Sequence, residues 1–197
     1  MNKEAITTYP LIKEIRYRWS PRAFDDKEIS KKEVKTLLEA ARWAPSSMNE
    51  QPWRYILGFK GDESYDKILD CLVEFNRNWA QTAPVLGMVV GKKLFKSGKE
   101  NRHFWYDSGQ SMAYFSLQAT AMNLHLHQMG GFSKSKAIEK LQIPSEEYEP
   151  LTAFALGYKT DPENTNIPDD LKEEEYNPRK RKQQSELFFE GAFGNSL

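Results

Sequence analysis

Arg18, Ser20 and Arg22 fall within five residues of one another, in the stretch Arg18-Trp19-Ser20-Pro21-Arg22-Ala23-Phe24. A guanidinium is a fixed charge with a planar fork of donors, a shape that fits phosphate and other planar acceptors. A serine hydroxyl adds a donor suited to a phosphate oxygen. The stretch reads as a clamp for a phosphorylated, ring-bearing cofactor; a surface loop with two solvated arginines is the other reading that these seven residues allow. A second stretch, Ala44-Pro45-Ser46-Ser47-Met48-Asn49-Glu50-Gln51-Pro52-Trp53, crowds hydroxyl and amide groups between two prolines. It is a stiff loop rich in hydrogen-bonding groups, or an ordinary Pro-Ser-Ser turn.

The elements that must hold these stretches follow from pattern. Residues 1–15 hold at most a short helix, near 10–15. Ser30 and Glu33 form a capping box, and Val34, Leu37, Leu38 and Ala41 mark one face of the helix behind it, which Pro45 ends. Residues 53–59 read as a strand, 62–76 as a helix closed by 76–79, and 83–91 as a strand central in a sheet. Residues 92–102 are a charged loop. Residues 103–129 form the longest helix, with Phe115, Ala119, Met122 and Leu126 on one stripe and Gly130-Gly131 as its stop. Ser133 caps a short helix reaching Leu141, and 151–157 is a third strand. Residues 159–178 read as an irregular excursion, followed by Arg179-Lys180-Arg181-Lys182 and a short apolar tail from Leu187 to Phe193.

Composition limits the partners. The chain has 197 residues, 39% hydrophobic and 28% charged, which suits one compact domain spanning 1–197. Aromatic residues reach 13%, enough for a planar ligand or a subunit interface besides a core. The 28 basic and 28 acidic side chains balance, which argues against nucleic-acid binding, including through the basic run at 179–182 behind its acidic neighbours. One cysteine, Cys71, allows no internal disulfide and reads as a buried apolar residue; with no signal-like segment in the polar first eight residues, a cytoplasmic setting is expected. The stretch 104–129 is too polar to span a membrane. His103, His125 and His127 make no metal site, because two residues apart on a helix point to different faces.

Together the motifs resemble the nitroreductase family of FMN-dependent oxidoreductases. Its Arg-x-Ser-x-Arg/Lys-x-Phe loop is matched by Arg18, Ser20, Arg22 and Phe24. Its Ala-Pro-Ser-x-x-Asn-x-Gln-Pro-Trp signature is matched by Ala44, Pro45, Ser46, Asn49, Gln51, Pro52 and Trp53. Ala83-Pro84, the turn Gln128-Met129-Gly130-Gly131-Phe132, Leu156-Gly157-Tyr158 and the basic pair Arg179/Arg181 follow in the family's order. Trp19 stands where many members carry a basic or small residue, and Lys159 where a proline is common.

The resemblance implies an α+β fold with a mostly antiparallel sheet flanked by helices. It implies an intertwined homodimer with exchanged C-terminal tails and FMN at the interface. Arg18 and Ser20 would face the phosphate, joined by Arg179 (or Lys180) and Arg181. Arg22 would lie at the pyrimidine edge of the ring. Pro45, Ser46, Ser47 and Asn49 would come from the partner subunit, with Asn76 a further ring contact. Met129 and Gly130 would bring backbone close to the ring, and Trp19, Gln128 and Gly131 complete the implied cofactor contacts. No side chain is expected to act as nucleophile or base. Hydride from NADH or NADPH would pass through FMN to a nitroaromatic, quinone or unsaturated carbonyl acceptor in ping-pong fashion. Dehalogenation, desaturation or flavin fragmentation on the same fold remain open, as do a flavin carrier without turnover and a cofactor-free interaction module.

Overall fold

The computed structural model describes residues 3–197. Four strands, β1 (Trp53–Phe59), β2 (Val85–Lys92), β3 (His125–Met129) and β4 (Tyr148–Gly157), form one sheet in the order β1-β2-β4-β3. Every neighbouring pair is antiparallel. β2, buried along nearly its whole length, is central as its apolar run predicts.

Each face of the sheet carries its own core. On one, Val85, Val89, Phe154, Leu156 and Leu126 pack under α2 (Lys31–Arg42) and α5 (Phe104–Ala121). On the other, Leu86, Met88, Val90, Ala153, Ala155 and Met129 meet α3 (Glu63–Cys71), α4 (Glu74–Ala80), α6 (Lys134–Lys140) and Leu171 of α7 (Asp169–Tyr176). A short first helix, α1 (Lys13–Tyr17), leads into the arginine loop. The Ser30–Glu33 capping box forms at the start of α2, and Val34, Leu37 and Ala41 are buried behind it. Cys71 is buried in the second core, and burial pushes its thiol pKa up.

Three expectations are corrected. The long helix over 103–129 ends at Ala121, because Asn123 takes a left-handed conformation (φ 58°). There the Leu124 N–H bonds the Ala119 carbonyl (2.8 Å) and the Asn123 N–H that of Thr120 (3.0 Å), closing the helix in a Schellman motif. The chain then enters β3, so the sheet has four strands rather than three. His125 and His127 therefore share one face, since side chains alternate along a strand.

The helix over 62–76 is two helices. Leu72 and Val73 are extended and pair with the turn after β3: Leu72 bridges Phe132, and the Val73 N–H bonds the Gly131 carbonyl at 3.1 Å. The excursion over 159–178 contains α7, whose inward residues Leu171 and Glu175 stand one turn apart.

Candidate arginine-lined cleft

The arginine loop is held at its C-terminal end by the segment just beyond β4. Phe24, 2% exposed, bridges Lys159 just beyond β4. The Asp25 N–H bonds the Tyr158 carbonyl (2.8 Å) and the Thr160 N–H the Ala23 carbonyl (3.2 Å). Gly157 makes room for this: a Cβ there would lie 2.7 Å from Phe24 Cδ1 and 2.8 Å from Pro84 Cδ. At Pro21 the carbonyl meets Nδ1 of His127 on β3 at 2.9 Å.

The C-terminal arm closes over the loop. Arg179 donates to the carbonyls of Arg18 (2.5 Å) and Arg16 (2.6 Å). From α7, Glu175 accepts the Arg22 backbone N–H (3.1 Å) and Glu174 takes the Arg22 guanidinium (2.7 Å). These elements enclose a cleft of about 560 Å³. Its cations are Lys3, Arg18, Arg22, Arg179 and Arg181; its carboxylates are Glu174 and Glu175; Trp19, Ser20 and His127 add rings and a hydroxyl.

The charge balance of the cleft shifts the pKa values of its groups. Burial, then Arg179 and Arg181, lower the Arg18 pKa from a value so high that the group stays charged. Burial raises the pKa of Glu175 despite the opposing pull of Lys3 and Arg22. His127 is pushed down to about 4, first by burial and then by Arg22 and Arg18, against the raising effect of the Pro21 bond. His125, which faces a separate hollow with Lys13 and Tyr17, is likewise lowered to about 4 by burial, Lys159 and Arg18.

Of the residues singled out in the sequence, Arg18, Trp19, Ser20, Arg22, Arg179 and Arg181 line this one cleft. Arg179 has both terminal nitrogens on backbone carbonyls, whereas Arg181 is exposed and its NH1 bonds the carbonyl of its chain neighbour Lys180 (2.8 Å). Asn76, Met129, Gly130 and Gly131 gather at the neighbouring edge. Asn76 Nδ2 donates to the Gly131 carbonyl (3.0 Å), and a Cβ on Gly131 would strike that amide at 2.6 Å. A Cβ on Gly130 would meet nothing within 4 Å. Phe75 joins the two regions, its ring centroid 6.0 Å from the Arg22 guanidinium carbon. Gln128 is exposed on β3.

Pro45, Ser46, Ser47 and Asn49 do not line the cleft of their own chain. Their loop turns through three left-handed residues, Met48, Asn49 and Gln51, and is held by Asp107 of α5, whose carboxylate accepts the Ser47 N–H (3.0 Å). Sequence reasoning missed Lys3, His127, Asp107, Glu174 and Glu175. His127 was hidden by the helical reading of its strand, and the glutamates by an acidic run that resembles a solvated face.

A family model described as the nitroreductase family matches residues 15–78 and 71–158. The chain belongs to the nitroreductase family. Among solved structures similar to this nitroreductase-family chain is an oxidoreductase containing FMN, 35% identical, with 97% of this chain and 96% of that one covered and a TM-score of 0.90. A nitroreductase from Desulfovibrio desulfuricans, solved in complex with FMN, is 23% identical, covers 95% and 99%, and shares the fold with a TM-score of 0.74. A Bacillus subtilis (strain 168) protein named as the NAD(P)H nitroreductase YdgI is 24% identical over 79% of this chain and 91% of its own length. Among the described residues no helix is long and apolar enough to cross a membrane.

Proposed function

We propose that the chain is an FMN-dependent NAD(P)H oxidoreductase of nitroreductase type. One observation carries the reading: arginines from both ends of the sequence, Arg18 and Arg22 with Arg179 and Arg181, meet at one cleft beside an exposed glycine. The residues fit FMN on their own chemistry. Five cations against two carboxylates leave the cleft positive, as a phosphate dianion requires. Arg22 and Arg179 each keep a buried Nε with no hydrogen-bond partner among the described residues.

Arg18, Ser20 and Arg181 would hold the phosphate. Arg179 has a different part: its terminal nitrogens hold the loop carbonyls, so it positions Arg18. Arg22 would place a fixed charge beside the pyrimidine edge of the ring, where reduction deposits negative charge. Met129, Gly130 and Gly131 would offer backbone at the ring, where Gly130 presents no side chain. Trp19, Gln128 and Asn76 border these contacts, with Asn76 acting through its bond to Gly131.

The bound group supplies hydride uptake from NADH or NADPH and its delivery to a nitroaromatic, quinone or related acceptor, in alternating half-reactions. No residue of the chain is required to exchange a proton with a reacting atom.

The Pro45–Asn49 loop would serve the cleft of a second copy, with Ser46, Ser47 and Asn49 facing the partner's cofactor. In its favour, the loop carries Met48 at its tip and has Trp43 and Tyr106 beside it; the three are 86%, 69% and 70% exposed, an apolar surface that a homodimer interface would cover. The aromatic segment around Phe189 and Phe193 would reach the partner in the same assembly.

Visible absorbance of the purified, FMN-reconstituted full chain is the test. Flavin colour that bleaches on NADH or NADPH and returns with a nitroaromatic or quinone supports the enzyme. Colour that neither reductant bleaches leaves only a carrier, and failure to take up FMN removes the reading.

A further inference from the structure

We propose that His127 is a positioning residue of this cleft, fixing the Arg18–Arg22 loop on β3 so that Arg18 and Ser20 address a single phosphate. The inference rests on the FMN reading above.

Backbone bonds to Tyr158 and Thr160 hold the loop only from Ala23 onward. Upstream of Ala23 the Arg18 N–H bonds the Glu14 carbonyl of α1 (2.9 Å), and side chains hold other polar atoms of the loop: Arg179 on the Arg18 carbonyl, Glu175 on the Arg22 N–H, Thr82 on the Arg22 carbonyl. Among the described residues, His127 is the hydrogen bond through which the sheet itself reaches residues 18–22. A carbonyl only accepts, so Nδ1 must carry the proton. That fixes the tautomer as Nδ1–H.

The ring is fixed from a second direction. Trp79 of α4, fully buried, packs on it with centroids 4.4 Å apart and planes tilted by 37°. Backbone pairing of His127 with Ala155 of β4 sets the height of the ring on the sheet. Burial and the nearby Arg22 and Arg18 keep the imidazole neutral, so it brings no further charge to the cleft. Strand register, a buried indole and one hydrogen bond thus set where Pro21 lies. Pro21, with its restricted φ, transmits that position to Ser20 and Arg22 on either side.

The test compares His127→Asn, His127→Gln and His127→Leu in the full chain, with binding of FMN and riboflavin measured by flavin fluorescence. Asn places an amide donor the same number of bonds from Cβ as Nδ1; Gln places it one bond further; Leu has none. Loss of one neutral hydrogen bond to a held carbonyl is expected to weaken FMN binding by about 3- to 10-fold in H127L. Riboflavin, lacking the phosphate, should change little, so the preference for FMN falls. H127N should restore that preference and H127Q should not.

A general loss of packing would weaken both flavins alike, and that result overturns the inference. So does an H127L protein that keeps its FMN preference, or an H127N protein that folds without restoring it. Ring ¹⁵N shifts of the wild-type chain need no variant and no ligand: an Nε2–H tautomer refutes the proposal even if H127L does not fold. A wild type that binds riboflavin and FMN equally removes the phosphate site. One that binds neither removes the functional reading itself, and with it this inference.

Discussion

Glu175 and Arg22 meet across 153 residues of sequence: the buried carboxylate takes the Arg22 backbone N–H at 3.1 Å. The neighbouring Glu174 takes the same residue's guanidinium at 2.7 Å. α7 therefore holds Arg22 by main chain and side chain together. The two carboxylates have separate tasks. Glu175, 2% exposed, is part of the loop's framework, whereas Glu174 is a half-exposed partner that a ligand anion could replace.

Removing Glu174 should therefore strengthen anion binding. Glu174→Gln takes one of two negative charges out of the cleft and frees the Arg22 guanidinium. FMN affinity is expected to rise by about 2- to 5-fold at low ionic strength, in keeping with a partly exposed pair worth about 0.2–1 kcal/mol, and the gain should shrink as salt is added. Titration calorimetry at two salt concentrations reads both effects. Weaker binding in E174Q would mean that Glu174 aims Arg22 rather than competes for it.

Glu175→Ala should act on folding. It leaves the Arg22 N–H without its acceptor in a buried place, at a cost of about 1–3 kcal/mol. Glu175→Gln keeps an acceptor and should lose much less. Burial raises the native pKa of Glu175, so the folded chain holds this proton more tightly than the unfolded one. Its contribution is greatest below the unfolded carboxylate pKa and diminishes as pH rises through the raised native value. Urea midpoints of wild type and E175Q across mildly acidic pH should diverge in that sense.

Gly157→Ala and Gly130→Ala make a controlled pair. At Gly157 the new Cβ would lie within 3 Å of Phe24 and Pro84, both packed, so the loop anchor must shift at a cost of about 1–3 kcal/mol. At Gly130 it meets nothing within 4 Å, so stability should hold. If backbone at 130 approaches the flavin ring, G130A should instead weaken flavin binding or slow reduction with the melting temperature unchanged. Differential scanning fluorimetry beside flavin titration separates the two.

Much of this arrangement was legible in the sequence where local chemistry decided it. The Ser30–Glu33 box and the apolar run of β2 are local signals that the structure places as read, and the arginine loop lines a cleft. Two of the failures share a form: a stripe of apolar residues continued past the point where the helix ends. Phe115, Ala119, Met122 and Leu126 keep helical spacing, yet Leu126 is buried by a strand, because Asn123 turned the chain first. Asn at that position is a known helix stop, but nothing local set it apart from Asn76 or Asn78. Leu72 and Val73 left their helix to pair with Gly131 and Phe132, partners about 60 residues away. In α7 only Leu171 and Glu175 are buried, too few to mark an inward face among Asp and Glu.

Arg179 and Arg181 look alike in sequence and should separate in experiment. Arg179→Ala removes two bonds to the carbonyls of Arg16 and Arg18, which should cost stability of about 1–3 kcal/mol and loosen the loop before any ligand is present. Arg181→Ala removes an exposed guanidinium bonded to its own chain neighbour, so apo stability should be unchanged while FMN affinity falls and riboflavin affinity does not. Equal effects on apo melting would refute this division.

The histidines of β3 set the acid limit of the fold. Both have native pKa values near 4, against an unfolded value near 6.5, because burial and the neighbouring Arg18, Arg22 and Lys159 oppose a second ring proton. With the native value depressed, protons favour the unfolded chain. Stability is therefore full above about pH 6.5 and declines as pH falls toward 4, by on the order of 2–3 kcal/mol per histidine. Glu175 works in the opposite direction over an overlapping range and offsets part of the loss. A bound phosphate dianion would reverse the charge that His127 faces, whereas His125 lies on the other side of Trp19. FMN should therefore raise the His127 pKa more than that of His125, and proton uptake should accompany binding between pH 4 and 6. NMR titration of the two ring signals with and without FMN measures the difference, and parallel shifts would place the phosphate away from His127.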